Sequence, residues 1–141
     1  MDAIRQTIAS YTYFADRGRF DDAAEMFATD GVLEIEGIGG ARLEGRAAIK
    51  DYFAGVVANA DPAAAPPGRM QHHVSSTWIE VTSPTEARAA SYFTVMTGAG
   101  VDHWGRYRDT FTLVDGQWLF AHRHVTTDGI TPGGWADNRR Q

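Results

Sequence analysis

Apolar and polar positions along the chain change period once, dividing the sequence into a helical first half and a stranded second half. Ile4, Ile8, Tyr11 and Ala15 recur at spacings of four, three and four, which makes the stripe of one helix face, and Gly18 ends it. In "FDDAAEMFATDG", Phe20, Ala23, Ala24 and Phe27 predict a second, short helix stopped by Asp30-Gly31. "VLEIEGIGG" sets Val32, Glu34 and Glu36 against Leu33 and Ile35 and then breaks at glycines, which predicts a strand followed by a turn. "GRAAIKDYFAGVVANA" returns to helical spacing through Ile49, Tyr52, Phe53, Val56 and Val57, ahead of the proline-rich loop "DPAAAPPG".

From residue 69 the period is two, predicting strands near 69–82, 86–98, 103–114 and 117–126, with Asp115-Gly116 the strongest hairpin signal. Three helices followed by long meandering strands predict an α+β architecture in which one curved sheet wraps its helices. The expected organisation is a single domain over residues 1–141, with 127–141 as a C-terminal tail. A chain of 141 residues is long enough to build a core without a metal or disulfide staple.

Charge and cysteine usage then narrow the chemistry. The 13 basic and 18 acidic residues give a formal charge of −5, which repels phosphate backbones and argues against a nucleic-acid partner. Arg139 and Arg140 form only a short terminal basic pair. With no cysteine there is no thiolate nucleophile, iron–sulfur cluster or Cys-based zinc site. The start "MDAIRQTIASYTYFADRG" lacks the basic and apolar blocks of a secretion signal, and no segment reads as a membrane span, so the expected location is cytoplasmic.

The stretch "MQHHVSS" places two histidines in succession on a predicted strand, where neighbouring side chains point to opposite faces. His72 shares a face with Met70 and Val74 and is expected inside; His73 is expected outside. Among aromatic residues, Tyr107 and Phe111 share a strand face, with Asp109 between them, and Tyr107 is the best candidate to donate a hydrogen bond to a substrate oxygen. His122 and His124 lie two apart on one strand face without an obvious third metal ligand, so they read as solvated or interface residues. His103 is expected at the rim. Arg106, Arg108 and Arg123 are expected to face solvent or a partner subunit, with Arg123 pairing Asp109 across the hairpin as an exposed ion pair. The tail with Trp135 either covers a pocket mouth or frays.

The segments "YFADRGRFDDAAEMFATDGVLE", "LEGRAAIKDYF", "QHHVSS" and "GRYRDTFTLVDGQWLFAHRHV" resemble, in order and spacing, the nuclear transport factor 2-like fold and its SnoaL-like branch. The resemblance implies a cone-shaped, strongly curved mixed sheet closed by three N-terminal helices over a pocket. Two cofactor-free lyases of that superfamily, scytalone dehydratase and hexachlorocyclohexane dehydrochlorinase, are similar at two positions. What the resemblance carries over is an aspartate at the end of the first helix, here Asp16, and a histidine at the start of a long strand, here His72. Other groups of those enzymes do not carry over: Ala15 stands beside the aspartate, a second histidine falls near Thr97, a basic residue falls at Tyr11, and an arginine falls near Thr112 or Leu113.

An aspartate bonded to one imidazole nitrogen fixes the tautomer and leaves the other nitrogen as a base. The expected function is therefore a cofactor-independent lyase, dehydratase-like, or isomerase that acts on a small hydrophobic metabolite of cyclic or aromatic type. His72 is the expected general base and Asp16 its orienter. Expected substrate-binding residues are Tyr11, Tyr52, Met70, Val74, Tyr107 and Phe111, with no cofactor and no metal. A non-catalytic small-molecule-binding or assembly module, and a polyketide-cyclase-like enzyme, are the alternatives. The family habit and outward-facing residues such as Thr110 and Thr112 imply a homodimer through the outer sheet face.

Overall fold

The computed structural model describes residues 1–139 and is an α+β fold of three helices on one curved, unclosed sheet. Helix α1 (Asp2–Asp16) and the five-residue α2 (Phe20–Ala24) precede strand β1 (Phe27–Glu36), which turns into the short β2 (Ala41–Glu44). Helix α3 (Arg46–Ala58) follows, and then the long strands β3 (Gln71–Ser83), β4 (Glu86–Thr97), β5 (Gly100–Val114) and β6 (Gln117–Ile130). The sheet order is β2-β1-β6-β5-β4-β3; β1 runs parallel to β6 and all other neighbours are antiparallel. Asp115 and Gly116 have φ of 49° and 80°, two left-handed residues in succession, as a tight β5–β6 hairpin requires. Arg140 of the terminal basic pair lies outside the described residues.

Several boundaries differ from those predicted by periodicity, each for a tertiary reason. The second helix ends at Ala24, because Met26 O accepts the Phe120 N–H at 2.8 Å and Phe27 is paired with Phe120, so the sheet captures the segment expected to complete the helix. Asp30-Gly31 therefore lies within β1 rather than at a helix end. Gly31 is required there: a Cβ at that position would lie 2.8 Å from Phe120 O. Strand β2, whose alternation of Ala41 and Leu43 against Arg42 and Glu44 spans only four residues, completes a hairpin with β1. Val56 and Val57, expected on the buried side of α3, are exposed, while Ile49 and Phe53 carry the contact. Strand β6 continues to Ile130 and absorbs the first residues of the expected tail.

Two apolar clusters fill the concave side. The larger joins Ile4 and Ile8 of α1, Phe27 and Leu33 of β1, Ile49 and Phe53 of α3, and Ile79, Ala87, Ala89, Phe111 and Phe120 from the long strands. The smaller consists of Phe93, Val95 and Tyr107, with Met70, Val74 and Val125 packed against it. It lies toward the end of the sheet that carries His72. No helix among the described residues is long and apolar enough to cross a membrane.

Extra residues on one strand of a pair decide which side chains meet inside. Ser76 and Thr77 oppose the single Ser91, Asp102 is inserted between the Val95–His103 and Met96–Val101 pairs, and Ala121 between the Phe111–Phe120 and Thr110–His122 pairs. Each such bulge bends its strand and shifts the simple inside–outside alternation by one. Past Ala121 the inward residues of β6 become Arg123 and Val125, and His122 and His124 turn outward. Arg123 is consequently fully buried rather than solvent-facing. The expected pairing with Asp109 does form, but as a sealed pair with Nε donating at 2.8 Å and Nη2 at 3.0 Å. His103, expected at the rim, is buried for the same kind of reason: the extra residue Asp102 lets both side chains sit on the concave side.

Candidate active site

Asp16 is the last residue of α1, and the helix brings its carboxylate to the first turn of chain in β3. Both oxygens are engaged by one residue: Oδ2 accepts the His72 backbone N–H at 3.0 Å, and Oδ1 lies 2.6 Å from His72 Nδ1. A carboxylate can only accept, so the neutral imidazole carries its proton on Nδ1 and presents Nε2 as an acceptor. Nε2 has no hydrogen-bond partner among the described residues. Asp16 and His72 are half-buried, and His73 is exposed, as the alternation predicts.

The pairing register places His72 opposite Val95 and Val95 opposite His103, so the two histidines share the concave face two strands apart. Strand spacing puts their backbones about 10 Å from each other. His103 Nδ1 lies 2.8 Å from Asp102 Oδ2. Burial lowers the His103 pKa below its ordinary value and outweighs the opposing effect of the Asp102 hydrogen bond, so the ring is neutral at neutral pH. Asp102 also accepts the backbone N–H groups of Trp135 at 2.6 Å and Ala136 at 3.1 Å. The tail is thereby docked, with the Trp135 ring stacked on His103 at 6.2 Å and Arg139 over the indole at 4.0 Å.

The expected lining residues separate into two groups. Met70, Val74 and Tyr107 pack together near the histidines. Tyr11 reaches in from α1, its ring 5.9 Å from Phe27 and 5.8 Å from Phe120, and Tyr52 approaches from α3 beside Phe53. Phe111 belongs elsewhere: it is eight residues along β5 from His103, sealed in the larger core with its ring 5.0 Å from Phe120. Burial pushes the Tyr11 phenol up to about 12 and raises Tyr107 further still, so both hydroxyls remain protonated donors at neutral pH.

Arg123 is the residue that sequence reasoning misplaced and that changes the chemistry of the interior. Its guanidinium lies 3.8 Å over the Tyr107 ring, 4.5 Å over Phe120 and 4.9 Å over Tyr11. Asp109 holds its pKa above the ordinary arginine value despite burial, so the side chain stays charged. The signal in the sequence was the pair of unlike charges, Asp109 and Arg123, at positions joined by the Asp115-Gly116 hairpin; the Ala121 bulge concealed which way they point.

On the outer side, His122 Nε2 lies 3.1 Å from Glu34 Oε1 and His124 Nε2 lies 3.2 Å from Glu36 Oε2, with the two imidazoles parallel at 6.3 Å. No group of three or more metal-ligating side chains arranged to hold an ion is found among the described residues. An open groove of about 500 Å³ lies between α2 and α3, lined by Arg19, Phe20, Phe53 and Val57, away from His72.

Solved structures with this fold are numerous. One is a "putative scytalone dehydratase" from Novosphingobium aromaticivorans, 26% identical, with a TM-score of 0.75 over 93% of this chain and 85% of that one. An NTF2-like protein with a cystatin-like fold from the same organism is 24% identical, with a TM-score of 0.75 over 99% and 88% of the respective chains. A protein from Catenulispora acidiphila, solved in complex with S-DNPA, is 25% identical, with a TM-score of 0.74 over 90% and 92%. No curated protein matches the sequence. The SnoaL-like domain model matches residues 1–124, which take in the three helices, strands β1 to β5, the first part of β6 and Asp16, His72 and His103, and the chain belongs to the SnoaL-like family.

Proposed function

We propose that this protein is a cofactor-independent acid–base enzyme, a dehydratase-like lyase or an isomerase, acting on a small hydrophobic substrate with a ring system. The observation that carries the reading is the two-point engagement of His72 by Asp16, one oxygen on the backbone N–H and the other on ring Nδ1. His72 Nε2 takes a proton from carbon next to a carbonyl or a leaving group. The Asp16 carboxylate stabilises the imidazolium that results, and the proton then returns to another carbon or to the departing oxygen. A positioned base of this kind contributes about 10²–10⁴-fold in rate. The similarity in fold to the Novosphingobium protein and to the Catenulispora protein solved with S-DNPA supports a small-molecule reading.

The test is solvent deuterium incorporation, followed by proton NMR, into a panel of hydrophobic ketones. Wild type should exchange α-protons in at least one of them, and His72→Ala and Asp16→Asn should lose that exchange while melting normally. Full exchange in both variants removes the mechanism.

A second reading, an assembly or binding module, is favoured by a different observation. Trp78, Tyr92 and Trp104 are exposed on the outer face of β3, β4 and β5, each more than 40% accessible. These rings make that face the proposed homodimer surface. Light scattering on wild type and on Tyr92→Arg tests it, and a wild-type monomer at all concentrations would dismiss the dimer.

A further inference from the structure

The last described stretch of the chain, residues 131–139, is folded on itself and tied to the body at separate points. Within it, the Gly133 N–H donates to Asp137 Oδ2 at 2.7 Å, and the amides of Gly134, Asn138 and Arg139 donate to the carbonyls of Thr131, Gly134 and Ala136. Thr131 is the hinge end: its N–H donates to Asp102 O at 2.8 Å and its hydroxyl to Val101 O at 2.7 Å. At the far end Arg139 Nη2 donates to Ala64 O at 3.3 Å, in the short turn Pro62–Ala64 ahead of β3. The segment runs from β5 to the approach of β3, the two strands that carry His103 and His72.

Its middle rests on one carboxylate. Asp102 is 3% exposed and accepts from His103 Nδ1 at 2.8 Å, Trp135 N at 2.6 Å and Ala136 N at 3.1 Å. Gly134 permits the approach, since a Cβ there would lie 2.6 Å from Asp102 Oδ1. The Trp135 ring stacks on His103, so the segment itself supplies part of the burial of that imidazole, and Phe93 packs against it at 6.1 Å. His103 Nε2, where a second proton would go, makes no hydrogen bond among the described residues.

We propose that residues 131–139 are an acid-released strap, closed over His103 while its ring is neutral and let go when the ring takes a proton. A charged Nε2–H under the Trp135 ring has no acceptor, and undocking gives it water. The imidazolium also neutralises Asp102, so the Trp135 and Ala136 amides lose a charged acceptor. Among the charged or titratable groups around the ring, Asp102 favours the proton. His72, with Asp16 bonded to it, and Arg139, 4.0 Å over the Trp135 indole, oppose it. The cross-strand neighbours, Val95 of β4 and Ile130 of β6, are apolar. Burial prevails and lowers the His103 pKa, and by reciprocity the proton weakens docking about tenfold for each unit that docking takes from the pKa. Opening uncovers the end of the concave face that His103 shares with His72. That consequence for access rests on the proposed acid–base reading; the release itself does not.

Release is read on the full chain by amide hydrogen exchange, corrected for the intrinsic rate at each pH, alongside NMR titration of the His103 imidazole. Between about pH 8 and 5, protection of the Trp135 and Ala136 amides should fall at least about threefold while the β4–β5 ladder stays at least about tenfold better protected, which marks the opening as local. His103→Gln, which does not titrate, should flatten that fall. Trp135→Ala should raise the His103 midpoint by at least about half a unit toward its ordinary value, the same threefold coupling read from the proton's side. That reading needs no change at position 103. No substrate enters either measurement, so failure of the strap is distinct from failure of His72 as a base. Protection constant across the range, an equal fall in His103→Gln, tail amides as well protected as the ladder, or an unmoved midpoint in Trp135→Ala overturns the strap.

Discussion

Removing Asp109 is the most demanding test of how the interior is held together. Arg123 and Asp109 are both fully buried and joined by two hydrogen bonds of 2.8 and 3.0 Å. In Asp109→Ala those bonds disappear, and the guanidinium is left among Tyr107, Phe120 and Tyr11 with its charge uncompensated. It cannot escape by deprotonation, because its pKa starts far above neutrality. Breaking a buried pair in this way costs about 3–5 kcal/mol. With an unfolding entropy of about 2.1 cal/mol/K per residue, the 141-residue chain has about 0.30 kcal/mol/K in total, so a loss of about 4 kcal/mol lowers Tm by about 13 °C. Thermal melts by circular dichroism, checked by urea titration, measure it. The companion variant Asp109→Leu with Arg123→Met removes both charges and should recover most of the loss, since apolar groups of similar volume can replace a buried pair at little cost. A drop below about 3 °C in the single variant, or a double variant no more stable than the single, would refute the account.

Other outcomes follow from the same contacts. Gly105→Ala should destabilise severely or prevent folding, because its Cβ would fall onto the backbone carbonyl oxygen of Thr126; a melt within about 2 °C of wild type would contradict the close approach. The folded-state pKa of His103 is below its unfolded value of about 6.5, so its contribution to stability is present above that value and lost as pH falls through it. Stability of wild type should thus decline between about pH 7 and 5 more steeply than that of His103→Gln, and parallel profiles would argue against a buried neutral ring. Truncation after Thr131 should lower Tm, because Asp102 loses the Trp135 and Ala136 N–H donors and His103 loses the stacked Trp135 ring; unchanged stability would mean that the docked tail contributes nothing.

The helical stripe of α1 and the alternation of the four long strands were legible in the sequence because each is set by local pattern over ten or more residues. The inward direction of His72 was legible too, since no bulge separates it from Met70 and Val74. Where the reading failed, an extra residue intervened. Counting alternate positions from Phe120 sends Arg123 outward, and only the pairing of Phe111 with Phe120 and of Asp109 with Arg123 reveals that Ala121 is supernumerary. Neither Ala121 nor Asp102 is a residue type that announces a bulge. Even Ser76, with φ of 51°, gives no sign of its left-handed backbone by its identity. The short α2 was overestimated for a related reason, because helical spacing in residues 25–31 could not reveal that β6 competes for the same backbone.

The bulge at Ala121 separates two properties that a sheet usually couples. Pairing before it, Phe120 with Phe111, and after it, Arg123 with Asp109, would both persist if Ala121 were deleted, because the loss of one residue restores an uninterrupted ladder with the same neighbours. What the deletion would remove is the local bend. Curvature in this protein is therefore an independent variable, adjustable one codon at a time, and the enclosed volume can be widened or narrowed by evolution or by an engineer without exchanging a single chemistry-bearing side chain.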